Sequence, residues 1–249
     1  RPVPIYSELP ELQRKVKGAE VIGFRIGARK TLKHLNNAVE NAIVSGWSFE
    51  YGKIKAFDIS DGRYFREDEV EGGYNVVILG YTIAQGLFPN NENAIGKIIK
   101  VAGRNCKVIG LIKKEGESML GNSMDNQAIV PYNFARLMMD VKSENSDPFI
   151  AAKAKPGVSN AQLKDEITGA MRTIRGLKPM ADDNFALNET NLLSKNFDPL
   201  FDMVSIAGAI IGGFSILVGG FGIANIMFVS VRERTNIIGI QKSLGAKNF

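Results

Sequence analysis

The sequence predicts an α+β domain followed by a single transmembrane helix, and three observations lead there. Short β-branched runs alternate with helical patterns but without regular βαβ spacing, which favours a mixed over a doubly wound sheet. Met203 to Val231 runs for 29 residues without a charge. Arg232, Arg234, Lys242 and Lys247 then follow, with Glu233 as the one acid.

The elements of the soluble part read in order as follows. Residues 6–18, with Pro10, suit a short polar helix or arm. Val21-Ile22-Gly23-Phe24-Arg25-Ile26 alternates as a strand does. Residues 29–45 fit either a helix or paired strands. Ile54 to Ile59 reads as a strand or strand end, and Asp58 to Phe65 turns through Gly62. Asn75 to Leu79 is a short, nearly all-apolar run that suits a buried strand, ended by Gly80. A short helix over Thr82–Leu87 follows, broken by Pro89. Lys97–Val101 and Cys106–Ile112 flank Ala102-Gly103-Arg104-Asn105, which makes a hairpin. Glu115 to Gln127 is a polar loop. Ala128–Val130 is a strand, and Pro131 starts a helix reaching about Asp140.

Phe149–Ala154 is a further strand. Ser159-Asn160-Ala161-Gln162 fits a capping box, in which hydroxyl and amide satisfy orphan backbone donors. Leu163, Ile167, Met171 and Ile174 recur at helical spacing, and Gly176 suits the C-terminal cap. A strand near Phe185–Leu187 and a helical stretch from about Glu189 complete the soluble part. The strand, helix and strand over 149–187 form one half of a subdomain, with the N-terminal residues as the other half. Residues 50–140 are then an insertion. The domain is 1–188, with 189–202 as a stalk that joins it stiffly to the membrane.

The span itself is specified by length. A bilayer core of about 30 Å needs roughly 20 helical residues, and a buried soluble helix is seldom apolar all round. Excess Lys and Arg after the span, against Asp198 and Asp202 before it, places the tail in the cytoplasm and the large domain outside. Within the span stand Gly208, Gly212, Gly213, Gly219, Gly220 and Gly222. Gly208 with Gly212, Ser215 with Gly219 and Gly220 with Ala224 repeat a small-xxx-small spacing, which lets another helix approach closely.

Catalytic and metal chemistry is not expected. The chain carries a net charge of +5, with basic residues scattered among acidic ones. It shows no basic stripe interleaved with aromatics, so nucleic acid is not an expected partner. The single cysteine, Cys106, reads as a small half-buried hydrophobe. The single histidine, His34, lies in a polar stretch without acidic or cysteine neighbours at ligand spacing. Gly96-Lys97 is not a phosphate loop, because Asn91 stands at the earlier glycine position and Ile98 replaces the magnesium-binding hydroxyl. Asp125 is a lone carboxylate in a loop, too little for a cation site. Glu67, Asp68, Glu69 and Glu71 read as a solvated acidic loop. The chain begins at Arg1 without a methionine or signal-peptide pattern, which suggests a boundary with something upstream.

The residues Ile216-Leu217-Val218-Gly219-Gly220-Phe221-Gly222-Ile223-Ala224-Asn225-Ile226-Met227, then Val229-Ser230-Val231-Arg232-Glu233-Arg234-Thr235 and Ile238-Gly239-Ile240-Gln241-Lys242-Ser243-Leu244-Gly245-Ala246, carry a resemblance. The chain resembles the MacB-type, FtsX-like permease family of ABC transporters. Gly62-Arg63-Tyr64-Phe65, Val77-Ile78-Leu79-Gly80, Leu87-Phe88, Ile95-Gly96-Lys97 and Val108-Ile109-Gly110 look like that family's periplasmic core domain, in the same order. The resemblance covers about residues 50–249, and residues 1–50 match poorly.

The resemblance implies a mixed extracytoplasmic domain of two subdomains, one membrane helix over 203–231 and a cytoplasmic coupling helix over 232–249. Glu233, Arg234, Thr235, Gly239, Lys242 and Gly245 would form the ATPase-coupling segment. Gly208, Gly212, Gly219, Gly220 and Gly222 would pack against other membrane helices. Asn236 and Ile237 stand where the family usually has Arg-Glu, and Gln241 stands for Arg, so part of the usual charge is missing from the coupling segment. The full protein would have one membrane helix before residue 1 and two after residue 249. It would sit in the bacterial inner membrane with its large domain in the periplasm. Its partners would be an ATP-binding cassette ATPase, separate or fused, a second permease copy or a paralogue, membrane lipid, and a periplasmic adaptor or substrate protein. ATP would be held by the ATPase, leaving this chain without a cofactor and without enzymatic activity of its own. Such proteins transmit ATPase-driven motion to a periplasmic domain. Two other readings compete: a membrane-anchored extracytoplasmic module that recruits a periplasmic partner, and a membrane-anchored enzyme, for which no catalytic constellation is found.

Overall fold

The computed structural model describes residues 2–55, 57–89, 93–116, 123–141, 143–189 and 192–245. They divide into two units, Arg1–Leu187 and Asn188–Phe249.

The first unit opens with helix α1 (Glu8–Lys15), whose Leu9 and Leu12 are buried. Strand β1 (Ala19–His34) runs for 16 residues, far beyond the six that alternate most clearly in the sequence. It turns at Leu35, with φ of 51°, into β2 (Asn37–Trp47), so residues 29–45 are paired strands. The short helix α2 (Tyr51–Ile54) and strand β3 (Ile59–Gly62) follow. The strand expected over Ile54–Ile59 is thus displaced. Tyr51 is buried and packs against Trp47, with ring centroids 4.7 Å apart, which holds this segment as a turn of helix.

The acidic run forms helix α3 (Glu67–Glu71) and is not a solvated loop. Glu69 is buried because its carboxylate is fully used: Arg63 Nη1 and Nη2 donate to it at 2.7 and 2.6 Å, and the Arg66 amide at 2.8 Å. Strand β4 (Val76–Leu79) is buried throughout, and helix α4 (Tyr81–Leu87) follows. Gly80 between them is required by close approach, since a Cβ there would lie 2.2 Å from the Met124 carbonyl oxygen. Strands β5 (Ile98–Val101) and β6 (Arg104–Ile112) form the expected hairpin. Its turn is the pair Ala102-Gly103, with φ of 48° and 84°, the double left-handed geometry that tight hairpins favour.

Of the expected polar loop, residues 117–122 lie outside the described residues. Asp125 is no cation site. It is buried, and its two oxygens accept from the Glu115 and Gly116 amides, each at 3.0 Å. Strand β7 (Gln127–Pro131) leads into a helix, α5 (Tyr132–Ala135), that is shorter than expected. Strand β8 (Phe149–Ala154) and helix α6 (Asn160–Ile174) match their sequence signals. The Ser159 capping box closes in both directions, at 3.2 and 3.0 Å. No strand forms at Phe185–Leu187, where the chain is irregular.

The strand order is β2-β7-β4-β6-β5-β1-β8, with β3 on β6, and β1 also pairs with β2. The β1–β2 pairing closes six strands into a ring. β2 runs parallel to β7, and β4 parallel to β6. Each ring strand sends a fully buried residue into one cluster: Leu32, Val44, Ala128, Val77, Val108 and Val101. Ile83 and Leu87 of α4 join them, each contributing about 2 kcal/mol by burial. Residues 50–140, expected as an insertion, supply β4 to β7 of this ring. β8 pairs with the first half of β1, and α6 lies against α1. A second cluster packs outside the ring under α2 and α3, around Trp47, Tyr51, Phe65, Val70, Ile78 and Ile109.

Cys106 is fully buried in the first cluster rather than half-buried, and burial pushes its thiol up to about 12. In the folded protein it is therefore expected to resist alkylation by iodoacetamide at neutral pH and to react once the chain is unfolded in urea. Arg63 holds the Glu69 carboxyl below the usual carboxylate range, chiefly by hydrogen bonding. The stabilisation is present above the ordinary carboxylate range and is lost as pH falls through the lowered folded value. Glu69→Gln should cost about 2 kcal/mol at neutral pH in urea denaturation, and the difference from the parent should shrink in acid below about pH 4.

Candidate functional site

The second unit is built on one helix, α7 (Leu192–Ser243), of 52 residues. At about 1.5 Å per residue it is about 78 Å long. The segment Phe201–Ser243 is long and apolar enough to cross a membrane, and contains an 18-residue stretch with a mean hydropathy of 2.0, none of it buried. The stalk, span and tail expected from sequence are continuous in this helix from Leu192. Nothing between Val231 and Ile238 breaks the helix, since that stretch contains neither Pro nor Gly. Residues 232–243, expected as the start of a separate coupling helix, therefore continue the apolar helix. Within the stalk, Pro199 was missed as a feature. It has no amide hydrogen, so the Lys195 carbonyl loses its helical bond there.

About 100° per residue places Gly208, Gly212, Gly219 and Gly222, with Ser215, along one stripe of α7, while Gly220 lies on another. Apart from the adjoining helix backbone and the chain neighbours, no described atom lies within 4 Å of a Cβ built at any of these glycines. The tail residues divide between two faces. Glu233 continues the stripe, whereas Thr235, Gly239 and Lys242, at i, i+4 and i+7, share the opposite face, and Arg234 lies between the two. Thr235 Oγ1 donates back to the Val231 carbonyl at 2.8 Å. Gly245 has a φ of 89° and ends the helix. Its amide bonds Lys242 O, and that of Leu244 bonds Ile240 O, both at 3.1 Å. Ala246 lies outside the described residues.

A second constellation, in the first unit, was not seen from sequence. Arg175 follows the last turn of α6 and gathers three stretches of chain. Its Nε donates to Glu8 Oε1 at 2.7 Å, and Nη2 to Oε2 at 3.3 Å. Nη1 donates to the Pro2 carbonyl at 3.3 Å and to Asn184 Oδ1 at 3.1 Å, and Nη2 to the Val3 carbonyl at 3.4 Å. Both charged side chains of the pair are 8% exposed. One turn earlier, Arg172 donates to the carbonyls of Lys178, Pro179 and Ala181 at 2.7, 3.1 and 2.9 Å and pairs with Asp183. Together the two guanidiniums pin the start of the domain and its last segment to one helix end. The available signal was the i, i+3 pair of arginines at a helix C-terminus, where cations are favoured. The partners, more than 160 residues away along the chain for Glu8, left no local trace.

Residues 3–170 match the model of the MacB-like periplasmic core domain. The chain belongs to this family. The matched range takes in all eight strands of the MacB-like domain, while Arg172, Arg175 and α7 lie beyond it. The chain is 30% identical over 213 residues to "Macrolide export ATP-binding/permease protein MacB" of Escherichia coli K12 and of Shigella flexneri. That alignment covers 85% of this chain but 32% of each relative, so the chain spans about a third of their length. In fold it is similar to the periplasmic region of MacB from Actinobacillus actinomycetemcomitans, with a TM-score of 0.60 at 18% identity over 71% of this chain and 76% of that one. It is also similar to the extracellular domain of the transporter YknZ from Gram-positive bacteria, with a TM-score of 0.58 at 19% identity over 71% and 86%.

Replacing Arg175 by Ala leaves the Glu8 carboxylate buried without its cation. The loss expected is about 3 kcal/mol, read from the urea midpoint. Arg175→Lys should not restore it, since an ammonium cannot reach three stretches of chain with a planar fork.

Proposed function

We propose that the chain is part of the permease of an ABC transporter of the MacB/FtsX-like type, transmitting ATPase-driven motion through the membrane to a periplasmic domain. One observation carries the reading: a MacB-like periplasmic core domain is followed in the same chain by a helix apolar and long enough to cross a membrane. The basic residues after the apolar stretch support a cytoplasmic C-terminus and an extracytoplasmic domain in the inner membrane. ATP hydrolysis falls to an ATP-binding cassette, on a separate chain or elsewhere in the same one. The names of the curated relatives, which combine ATP binding with the permease, favour the second arrangement for those proteins.

Motion that reaches the domain must act on its chain ends, and a rigid attachment there is the physical requirement. The helix α7, unbroken beyond Pro199, supports the lever, and the Arg175 clasp supports the attachment, because it binds Glu8 and Asn184 to one guanidinium. The glycine stripe would seat a second copy, a paralogue or another helix of the same permease within the lipid. Residues Glu233 to Gly245 would meet the ATPase, and an adaptor or substrate protein would meet the domain outside. The transported substrate is left open by this reading.

The test uses the assembled complex in lipid. Co-purification with an ATP-binding subunit or domain is expected. The double variant Arg234→Ala with Gly245→Val should lower coupled ATPase activity at least about tenfold, a change of about 1.4 kcal/mol in the barrier. Full coupled activity in that variant would sink the coupling role.

A further inference from the structure

Four cations that are scattered in the sequence meet on one uncovered face of the ring. Along β1 the even residues, such as Leu32, point into the core, so Arg29 and Lys33 share the outer face. On β5 the outer residues are Ile98 and Lys100, and on β6 they are Asn105 and Lys107. Arg29, Lys33, Lys100 and Lys107 are all exposed. Lys33 stands directly opposite Lys100 across the β1–β5 pair. Lys107 stands opposite Ile98 and therefore diagonal to Lys100. Like charges placed directly opposite in an antiparallel pair lower stability, so the free protein carries an electrostatic cost here.

Among the described residues, no carboxylate forms an ion pair with these four cations. β5 and β6 contain no carboxylate. Glu20, at the other end of β1, is taken by Lys153 at 3.0 Å. Glu40 sits in the β2 irregularity, and no ion pair forms between it and any of the four cations among the described residues. Arg29 makes one hydrogen bond, to the Asn41 carbonyl at 3.3 Å. The rest of the face is neutral: Thr31, Asn105 and Ile98, the last 60% exposed.

We propose that this face of β1, β5 and β6 docks an acidic polypeptide surface of an extracytoplasmic partner. Charge complementarity sets its chemistry, and Ile98 supplies an apolar contact amid the four cations. A membrane surface fits less well. The clasp holds the last segment of the domain beside the start of the chain. Tyr6, two residues before Glu8 of the clasp, packs on Phe24, and Lys33 lies nine residues further along β1, about 30 Å at strand rise. A nucleic acid also fits less well, because the face has no aromatic ring on which a base could stack. The inference rests on the transporter reading only for the partner's position outside the membrane.

The experiment uses the full chain in uncharged detergent micelles and a fluorescein-labelled poly-glutamate peptide, read by anisotropy at low and physiological salt. Lys33→Glu is expected to weaken binding by about tenfold, equivalent to about 1.4 kcal/mol, and to raise the melting temperature, because the new carboxylate faces Lys100. Lys155→Glu makes the same change in net charge just beyond β8 and should leave affinity unchanged. Equal weakening by the two variants would reduce the effect to net charge and overturn the proposal, as would parent affinity in Lys33→Glu. Phosphatidylglycerol vesicles that bind the parent more tightly than the peptide, and lose that binding in Lys33→Glu, would overturn it in favour of lipid. The peptide assay needs no ATPase, so its failure leaves the transporter reading intact, and loss of ATPase coupling leaves this face intact.

Discussion

β1 offers one edge to β2 and shares the other between β8 and β5. A single strand can serve three partners only if it is long, and its 16 residues give it that length. Its first half forms a small layer with β8 under α1 and α6. Its second half closes the ring, placing Leu32 against Val101 and Val44 within one core. A chain with a shorter β1 would leave β8 without a strand partner or the ring open at β5, with unpaired backbone groups exposed. The division into an inserted part and an enclosing part is therefore softened: the middle of the sequence completes the barrel-like ring that the N-terminal hairpin begins.

The same strand explains what sequence could and could not reveal. The buried apolar run of β4, the half-buried β8 and the capped helix α6 announced themselves because their signals are local. Residues 29–45 did not, since a two-stranded ribbon with one wet face carries Arg29, Lys30 and Lys33 among its apolar positions and mimics a helix pattern. Glu69 looked solvated because its acidic neighbours are; its burial depends on Arg63 reaching back over the helix start with two hydrogen bonds. Cys106 depends on what α4 and five other strands place around it. The membrane-length helix was legible from composition alone. Its continuation to Ser243 was hidden by the expectation that a basic flank marks a boundary, although charge does not break a helix and only Pro, Gly or a cap does so reliably.

Two kinds of charge arrangement divide the work within the domain. Arg175 and Glu8 are desolvated together, and the cost of burying them is offset by hydrogen bonds to the carbonyls of Pro2 and Val3 and to Asn184. Such a pair adds little net stability over an apolar substitute, but breaking it is expensive. It therefore suits a joint that has to stay closed under load better than a joint meant to yield. The outer face of β1, β5 and β6 is the reverse case. Its cations are solvated and opposed to one another, so an acidic partner would relieve a repulsion that the free protein bears.

The clasp lies beside the first half of β1 and the basic face on its second half, and that placement bears on how motion could reach a partner. A displacement applied at the clasp acts on Glu8 and Asn184, which are held to α6, and α6 packs on α1 beside the first half of β1. From there the continuous hydrogen bonding of β1 to β8, then β2, then β5 leaves no flexible loop between the clasp and Lys33. A paired strand resists extension along its axis because stretching it would break the ladder it shares at that point with β8, β2 or β5. Motion entering at the chain ends would then move the basic face as a body rather than dissipate within the domain. A compliant element, if the mechanism needs one, is more naturally found in α7 at Pro199, where the helical ladder lacks a bond.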